Sequence, residues 1–390
     1  MPPTNLKLGD PLVLTLAADA RLGAINYVDD HIWELNLSSG EPPSIAIQTT
    51  FGMRARSFRI FPRFILQDVV HTDPSTFTAS VIFKYLAPNY LHLVCTPFPG
   101  INVEIEYWVP TSQTLAGRAR IINAQSEPAT LSLEWAAVLT PDASGQRMAP
   151  MDIGLSHLLA GKTTNLAPVL YLTGIVQPGL GPYPALSHSL ELAPNEMRPS
   201  TWVSTAMATP EMAFAQARQI AARNWDAETA HLELMNSGQL EIHTGLPDWD
   251  AAFALTQTAA LRSFLPASET LPNPSFVLTR APDHGFSHKG DGTDYPLGWA
   301  GQNPLEAYAL ASLLPGAPQF VKGLLRNFLS TQNEDGSIDT RPGLAGQRAK
   351  MLAASMLASL AWQTYQASND ETFLAESSRP APRVAPSRFK

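Results

Sequence analysis

The feature that most constrains the fold of this chain is a change of hydrophobic pattern near residue 205. Before that point, short runs rich in β-branched and aromatic residues are separated by clusters of Gly, Pro, Asn, Asp and Ser, as is typical of strands and turns. After it, long stretches of good helix formers take their place. The chain is therefore predicted to fold as an antiparallel β domain followed by an α domain.

Residues 1–205 are predicted to form an antiparallel β-sandwich, because they hold at least seven strand-like runs with no intervening helical pattern. Apolar and polar residues alternate in Ile101–Val109, so Glu104 and Glu106 are expected to face solvent. Three tryptophans are expected to be packing residues, namely Trp108, Trp135 and Trp202. The predicted strands are Pro11–Leu16, Ile45–Thr50, Thr78–Tyr85, Leu91–Thr96, Ile101–Val109, Arg118–Asn123 and Thr130–Leu139, with others near Val169–Ile175 and Ser187–Leu192.

In the second part, Glu211–Met235 is predicted to form one or two connecting helices within residues 206–246. Four helical patterns follow, and three have a proline near the start, where a missing amide donor costs nothing. Their similar lengths and their alternating long and short connections predict stacked α-hairpins of one toroid over residues 247–376. These helices are Pro247–Phe264, Pro304–Leu314, Pro318–Gln332 and Gln347–Ala367.

Charge and cysteine content exclude several classes of function. The formal net charge is -8 and the Lys and Arg residues form no long run, which argues against the clustered phosphate contacts of a nucleic-acid-binding protein. A single cysteine, Cys95, excludes a disulfide framework and a Cys-based zinc site. Since no secretory pattern and no apolar stretch of ~20 residues is visible, we expect a cytoplasmic protein that binds no membrane. We expect no cofactor.

The segment 281–303 is a long loop rich in Gly and polar residues, a composition suited to binding hydroxyl groups. Its candidate substrate contacts are Asp291, Asp294, Trp299 and Gln302. The alternative is a solvated loop in which Asp291 and Asp294 make Asx turns. His284 and His288 lack a nearby third ligand, so we interpret them as surface histidines and expect no metal site.

A second loop runs from Thr331 to Arg348 and offers four further candidate contacts, namely Asp335, Asp339, Gln347 and Arg348. Gln347 and Arg348 are predicted to lie at a helix N-terminus, where long donors and free amides would meet sugar hydroxyls or a carboxylate. The alternative gives Gln347 a capping role and makes Arg348 a surface cation. Trp249 and Asp250 resemble a sugar-stacking pair, although a tryptophan at a helix start is more often part of a core.

The order of several motifs resembles the six-hairpin glycoside hydrolases. These motifs are Asn327-Phe-Leu, then Gln332-Asn-Glu-Asp-Gly-Ser-Ile, and then Gly346-Gln-Arg opening a helical pattern that includes Trp362 and Tyr365. The groups most similar to it are the processing α-glucosidases, the mannosylglycerate hydrolases, the trehalases and the amylo-α-1,6-glucosidases. The resemblance covers residues 205–375 by motif, and the β part by position and class.

This resemblance implies a β-sandwich before an (α/α)6 toroid and hydrolysis of an α-linked glucoside or mannoside with inversion. Two departures bear on the site. Trp299-Ala-Gly-Gln302 stands where such enzymes carry Trp-x-Trp-Asp, and Arg348-Ala349 stands where they carry two prolines. The substrate contact of the family at Gln302 is therefore expected to be altered.

The resemblance also predicts that the toroid is incomplete. Twelve helices with their loops need on the order of 350 residues, more than twice the length of the chain from Pro247 onward. The catalytic acid and base of the family come from later hairpins, so we assign neither to this chain. Residues 377–390 are rich in Pro and Arg and are expected to be a disordered tail. We hypothesise a truncated or frameshifted reading frame whose original sequence ended near Glu376, which sequencing of the locus would test.

An incomplete toroid would leave apolar helix faces uncovered and favour self-association. The side chains expected to be partly exposed are Met351, Leu352, Met356, Leu357 and Leu360. The leading hypothesis for function is a glycoside hydrolase-like protein that is inactive as this chain. The alternatives are a non-catalytic carbohydrate-binding or scaffold remnant, and a terpene-cyclase-like toroid suggested by one Gln…Asp-Gly-Ser element ending in Ile338 instead of Trp.

Overall fold

The computed structural model describes residues 14–22, 25–296, 299, 301–349 and 354–377. They separate into two compact units, which we name the sheet unit and the helix unit. The sheet unit comprises the described residues up to Asp19 together with Asp29–Met235 and Ala281–Phe286. The helix unit comprises the described parts of Ala20–Val28, Asn236–Arg280 and Ser287–Lys390. Each unit therefore includes a short segment that lies far away in sequence.

The sheet unit contains two sheets of eight antiparallel strands each. The first sheet has the order β1-β2-β3-β4-β10-β15-β14, with β5 paired to β4, and the second has the order β11-β12-β13-β16-β9-β8-β7-β6. The β-rich first part predicted from the sequence is thus confirmed. The strands are β1 (Leu14–Leu16), β2 (Trp33–Ser39), β3 (Ser44–Thr49), β4 (Ala55–Leu66), β5 (Val69–His71), β6 (Ala79–Ala87), β7 (Tyr90–Phe98), β8 (Ile101–Thr111), β9 (Thr114–Asn123), β10 (Ala129–Pro141), β11 (Gln146–Ile153), β12 (Ser156–Lys162), β13 (Ala167–Leu172), β14 (Gln177–Pro178), β15 (Ala185–Leu192) and β16 (Met197–Met207).

The core of the sheet unit lies between its two sheets. Trp135 of β10 and Trp202 of β16 are fully buried, and their ring centroids are 5.1 Å apart. Gly117 of β9 makes room for the indole of Trp202, since a Cβ at this position would lie 2.2 Å from that ring. Trp108 is buried as well, on the other face of the second sheet. The prediction that these tryptophans are packing residues is confirmed.

The expectation that Glu106 faces solvent is wrong, because the outer face of the second sheet is covered. Glu104 is partly exposed, but Glu106 is only 1% exposed and accepts a hydrogen bond from Arg118 Nε at 2.6 Å. The hydroxyl of Tyr90 also donates to Glu106, at 2.5 Å. Burial opposes the charge of Glu106, but the hydrogen bonds from Arg118 and Tyr90 outweigh it and hold its pKa below the ordinary value.

Two helices of the sheet unit supply that cover. They are α1 (Pro210–Ala221) and α2 (Trp225–Asn236), so the stretch predicted as one or two helices forms two. The ring of Phe214 in α1 packs edge-on against Tyr171 of β13 at 5.3 Å. Trp225 in α2 contacts Trp108, and Arg118 pairs with Asp226 at 2.9 Å.

The helix unit is built on helices whose apolar faces share one core. They are α3 (Pro247–Arg262), α4 (Pro304–Leu313), α5 (Pro318–Leu329), α6 (Ala354–Ser368) and α7 (Glu371–Ser377), beside a two-strand ladder of β17 (Phe264–Leu265) and β18 (Ser275–Phe276). The core includes Phe264, Phe320, Leu324, Phe328 and Phe373. The helices predicted at Pro247, Pro304 and Pro318 are confirmed, and none of the described helices is long and apolar enough to cross a membrane.

Two expectations about the last helices are wrong. The helical pattern was expected to begin at Gln347, but residues 347–349 are not helical and the described helix begins at Ala354. Leu357 and Leu360, expected to be partly exposed, are buried because they join the core shared with α4 and α5. Met356 is half-buried. Met351, Leu352 and the predicted tail after Ser377 lie outside the described residues.

Candidate functional site

The loop predicted to carry function belongs to both units. Residues 281–286 are part of the sheet unit and residues 287–303 are part of the helix unit. The eight candidate residues named from the sequence all lie in the helix unit, and the structure gives each of them a definite set of partners.

Ser287 and Asp294 organise the first part of the loop. Asp294 accepts hydrogen bonds from the hydroxyl of Ser287 and from the amide of His288, the latter at 2.8 Å. The Ser287 hydroxyl oxygen in turn accepts from the amides of Gly290 and Gly292 at 3.1 and 2.9 Å. The hydrogen bond from Ser287 is the main reason that the pKa of Asp294 is lowered. This carboxylate therefore holds the loop in shape and stays ionised at neutral pH.

Asp291 and Asp335 each close an exposed turn. Asp291 accepts from the amide and the hydroxyl of Thr293 at 2.9 and 2.8 Å, and Asp335 accepts from the amide of Ser337 at 2.9 Å. These hydrogen bonds lower the pKa of both carboxyls. The Asx-turn alternative is therefore confirmed for Asp291 and wrong for Asp294, which accepts from residues earlier in the loop. Asp335 closes a turn of the same kind as Asp291, and the side chains of Asp291 and Asp335 are both exposed to solvent.

Trp299 is fully buried in a cluster of aromatic rings. The ring of Tyr27 stacks on it with centroids 6.3 Å apart, and the ring of Tyr295 lies at 5.0 Å. Its indole Nε1 donates to the carbonyl of Thr279 at 3.0 Å, and the hydroxyl of Tyr27 donates to its carbonyl oxygen at 3.1 Å. Because no face of the indole is exposed, Trp299 acts as a packing residue that supports the loop.

Gln302 is also fully buried, and both the oxygen and the nitrogen of its side-chain amide are hydrogen-bonded to neighbouring elements. Its oxygen accepts from the Ser275 hydroxyl at 3.0 Å and from Asn327 Nδ2 at 3.2 Å, and its nitrogen donates to the carbonyl of Leu324 at 2.7 Å. The side chain thus connects the loop to β18 and α5.

The two loops are joined within the helix unit. Gln347 Nε2 donates to the carbonyl of Gly292 at 2.8 Å, and Gly301 and Gly343 form an isolated antiparallel bridge. Gly301 has to be glycine for this approach, since a Cβ there would lie 2.2 Å from the carbonyl oxygen of Pro342. The structure therefore joins parts of both predicted loops through contacts that involve the backbone.

Asp339 explains why the chain is not helical at Gln347 and Arg348. Its carboxylate is buried and accepts from the amides of Arg341 at 2.8 Å and Ala349 at 3.1 Å. The amide of Gly343 also donates to the carbonyl of Gln347 at 2.9 Å, so the backbone from Gly343 to Gln347 forms a turn and not a helix. Arg348 Nε lies 3.9 Å from Asp339, and the Arg348 side chain is more than a third exposed.

Among the eight candidates, Asp339 and Arg348 are the pair whose side chains meet. Gln347 contacts the first loop through the backbone of Gly292, and Asp291 and Asp335 contact only their own turns within the described residues. Trp249 is 70% exposed, so the core alternative for it is wrong. Next to it, Asp250 is held by the amide and the hydroxyl of Thr244 at 2.9 and 2.6 Å.

A cluster of charged and polar side chains that the sequence pattern does not predict contacts residues 281–286 in the sheet unit. Asp29 accepts from Arg54 and, at 2.8 Å, from Gln113, and it lies 3.0 Å from His31. Burial disfavours its charge, but His31 and Arg54 outweigh burial and lower its pKa. The guanidinium of Arg54 lies 3.9 Å from the centre of the Phe286 ring. The run Asp29-Asp30-His31 directly before an apolar strand was the available signal.

Three of the carboxyls at these loops are stabilised as carboxylate anions. Asp291, Asp294 and Asp335 all have lowered pKa values, whereas a general acid in glycoside hydrolysis needs a raised one. Within the described ranges, no group of three or more His, Cys, Asp or Glu side chains is placed to hold a metal ion. The exposed side chains of Asp291, Asp335 and Arg348 are able to form hydrogen bonds with groups in solvent.

We predict that Asp294→Asn loosens the first loop. An amide nitrogen cannot accept, so either the Ser287 hydroxyl or the amides of His288 and Lys289 lose their partner. Hydrogen exchange of the peptide 287–296, followed by mass spectrometry, should then be faster by about tenfold. Asp291→Asn is the matched control, because the asparagine oxygen still accepts from Thr293. Equal exchange in the two variants would contradict the role given to Asp294.

No protein-family model matches this sequence, and no curated protein matches it significantly. Among solved structures it is similar to a bacterial glucoamylase complexed with acarbose, with 10% identity and a TM-score of 0.50 over 94% of this chain and 58% of that one. It is also similar to a protein from the human microbiome assigned as a kojibiose phosphorylase, with 10% identity and a TM-score of 0.45 over 95% of this chain and 58% of the other.

The chain thus spans 58% of the length of both structures. At this identity the likeness to the glucoamylase concerns the fold alone. It agrees with the predicted class, in which a β-rich first part is followed by helices. The finer prediction of an incomplete (α/α)6 toroid stays a prediction.

Proposed function

We propose that this chain is a glycoside hydrolase-like protein whose joined loops recognise an α-linked glucoside or mannoside. The observation that carries the proposal is the contact between the two polar loops, made by the Gln347–Gly292 hydrogen bond and the Gly301–Gly343 bridge. The fold likeness to a glucoamylase solved with acarbose supports the same class of ligand.

The exposed side chains of the two loops can hydrogen-bond to sugar hydroxyls. Arg348 is a donor, and the carboxylates of Asp291 and Asp335 are acceptors with exposed oxygens. Gln347 is half-buried and already bonded to Gly292, so it orders the donors and acceptors around it. We assign Trp299 and Gln302, which are fully buried, to positioning the loop backbone.

We further propose that the chain binds this ligand without hydrolysing it. Inverting hydrolysis, the class that we assign to this fold, needs a protonated acid and an ionised base about 6.5–9.5 Å apart. Asp291, Asp294 and Asp335 have lowered pKa values, so each would be ionised near neutral pH and none would supply the proton. The proposed role is therefore recognition.

Calorimetry with maltotriose and α-1,2-mannobiose tests recognition. The double variant Gln347→Ala/Arg348→Ala should bind the preferred sugar at least about tenfold more weakly, since it loses a charged donor and the loop contact. Gln177→Ala/Arg56→Ala is the matched control, because both of its side chains are exposed in the sheet unit. Unchanged affinity in the loop variant, or release of product from either sugar or from aryl α-glycosides, would contradict the proposal.

Self-association remains a second proposal for the helix unit. Three large side chains support it by their exposure, namely Leu305 and Tyr308 of α4 and Trp362 of α6, which are 66%, 36% and 53% exposed. Exposed apolar side chains that form one patch are common at protein–protein contacts.

A further inference from the structure

A cavity of about 620 Å³ opens in the sheet unit, where β11, β12 and β13 meet the start of α1. Its volume falls within the range of small-molecule sites, about 300–1,000 Å³. None of its lining residues was a candidate from the sequence. The cavity belongs entirely to one unit, so its walls are fixed by contacts within that unit.

Two local structures build the walls. A tight turn joins β12 to β13, closed by hydrogen bonds of 2.9 and 2.8 Å between the backbones of Thr163 and Leu166. Thr164 in this turn has a φ of 41° and is held by Asp142 through its hydroxyl, at 2.9 Å. On the other side, the hydroxyl of Thr209 accepts from the amide of Met212 at 3.3 Å and caps α1. The helix N-terminus is therefore already capped, and the side chains around it determine which ligand fits.

The lining combines polar side chains with an apolar floor. Four polar side chains have no hydrogen-bond or ion-pair partner within the described part of the chain, namely Gln146, Lys162, Asn165 and Glu211. The floor and sides are small or apolar, made by Ala160, Gly161, Leu166, Ala167, Ala208 and Met151. Such a lining offers hydrogen bonds at the edge and van der Waals contact at the centre.

The charges of the lining define the ligand further. Lys162 and Glu211 are opposite in sign, so either a net anion or a net cation would meet one repelling charge. A neutral ligand with hydroxyls along its edge and an apolar face satisfies both, with the ammonium donating, the carboxylate accepting and the amides of Gln146 and Asn165 doing either. A pyranose ring has this form.

We propose that this cavity is a carbohydrate site, which binds a neutral disaccharide independently of the loops in the helix unit. The inference rests on the lining of the cavity and not on the function proposed for the loops. The two sites share a ligand class, so they have to be separated by variants in each.

The test is calorimetric titration of the full chain with maltose and with α-1,2-mannobiose. Ala208→Trp places a large side chain into the cavity from an exposed position and should weaken binding at this site at least about tenfold. Lys162→Met/Glu211→Gln removes both charges with little change of size and should weaken it similarly. Lys84→Met is the control, since Lys84 is an exposed lysine of β6 at the opposite edge of the same sheet.

The outcomes separate the two proposals. Binding that is weakened by Ala208→Trp and by the double charge variant, but not by Lys84→Met or the Gln347/Arg348 variant, supports the cavity even if the loops bind nothing. Binding weakened only by the loop variant overturns the cavity and leaves the loop proposal standing. Absence of any binding at millimolar sugar overturns it as well. Circular dichroism melting of Ala208→Trp establishes that the variant is folded.

Discussion

Gly285→Ala is expected to lower the free energy of unfolding by about 3 kcal/mol or more. A Cβ at this position would lie 2.2 Å from the backbone carbonyl oxygen of Asp30. The amide of Asp30 donates to the carbonyl of Gly285 at 2.8 Å, so moving the two backbones apart would break this hydrogen bond. The φ of 94° at Gly285 adds strain for any residue with a side chain. Urea denaturation, followed by tryptophan fluorescence, measures the loss.

Gly290→Ala in the same loop separates the two causes. Gly290 also has a positive φ, 77°, but a Cβ there would have no neighbour within 4 Å. The free energy of unfolding of this variant should therefore fall only because of backbone strain, by on the order of 1 kcal/mol. If the free energy of unfolding falls by the same amount in both variants, then steric contact with Asp30 is not the reason that position 285 requires glycine.

Glu106→Gln is the second large effect, and we expect it to destabilise the chain by about 3 kcal/mol. The substitution removes the negative charge and one of the two acceptor oxygens that face the buried guanidinium of Arg118, and it weakens the hydrogen bond from the Tyr90 hydroxyl. The loss falls at the lower end of the range for a broken buried pair, because Asp226 still pairs with Arg118 at 2.9 Å. Chemical denaturation at neutral pH measures it.

The pH dependence of this difference follows from the lowered pKa of Glu106. A carboxyl whose pKa is lower in the folded state stabilises that state above the ordinary value of 4.5, and the stabilisation is lost as pH falls through the folded-state pKa. The gap between the wild-type chain and Glu106→Gln should therefore narrow in acid. Glu104→Gln is the matched control two residues away, since its ion pair with Arg120 is partly exposed and should contribute less than about 1 kcal/mol. A gap that does not depend on pH would contradict this account.

The hydrophobic pattern predicted the order of the β and α parts, because the spacing of apolar residues within each strand or helix reflects which of its faces is buried. The hydrophobic pattern did not predict β4 (Ala55–Leu66), because three arginines and Pro62 interrupt the apolar residues of this buried strand. In the fold, the guanidinium of Arg59 donates to the carbonyls of Ser39, Glu41 and Pro42, and Arg63 pairs with Glu134. Those partners come from elsewhere in the chain, so a local pattern could not reveal them.

The candidate site was predictable to a similar degree. Glycine and aspartate content located both loops, and the turns at Asp291 and Asp335 follow from local chemistry. The burial of Trp299 depends on Tyr27, and the burial of Gln302 depends on Asn327, neither of which is near in sequence. The burial of Glu106 was unpredictable for the same reason, since α2 covers a strand face that alternation assigns to solvent.

The exchange of short segments between the units has a consequence for how the chain can be made and divided. Phe286 contacts both Asp29 and Arg54 in the sheet unit. These contacts can form only after the ribosome has synthesised the chain through Phe286. The helix unit, in turn, needs Ala20–Val28, which emerge long before the rest of it. No single cleavage point yields two pieces that each keep all of their own contacts. Expression of either unit with all of its own segments therefore requires a grafted or co-expressed peptide.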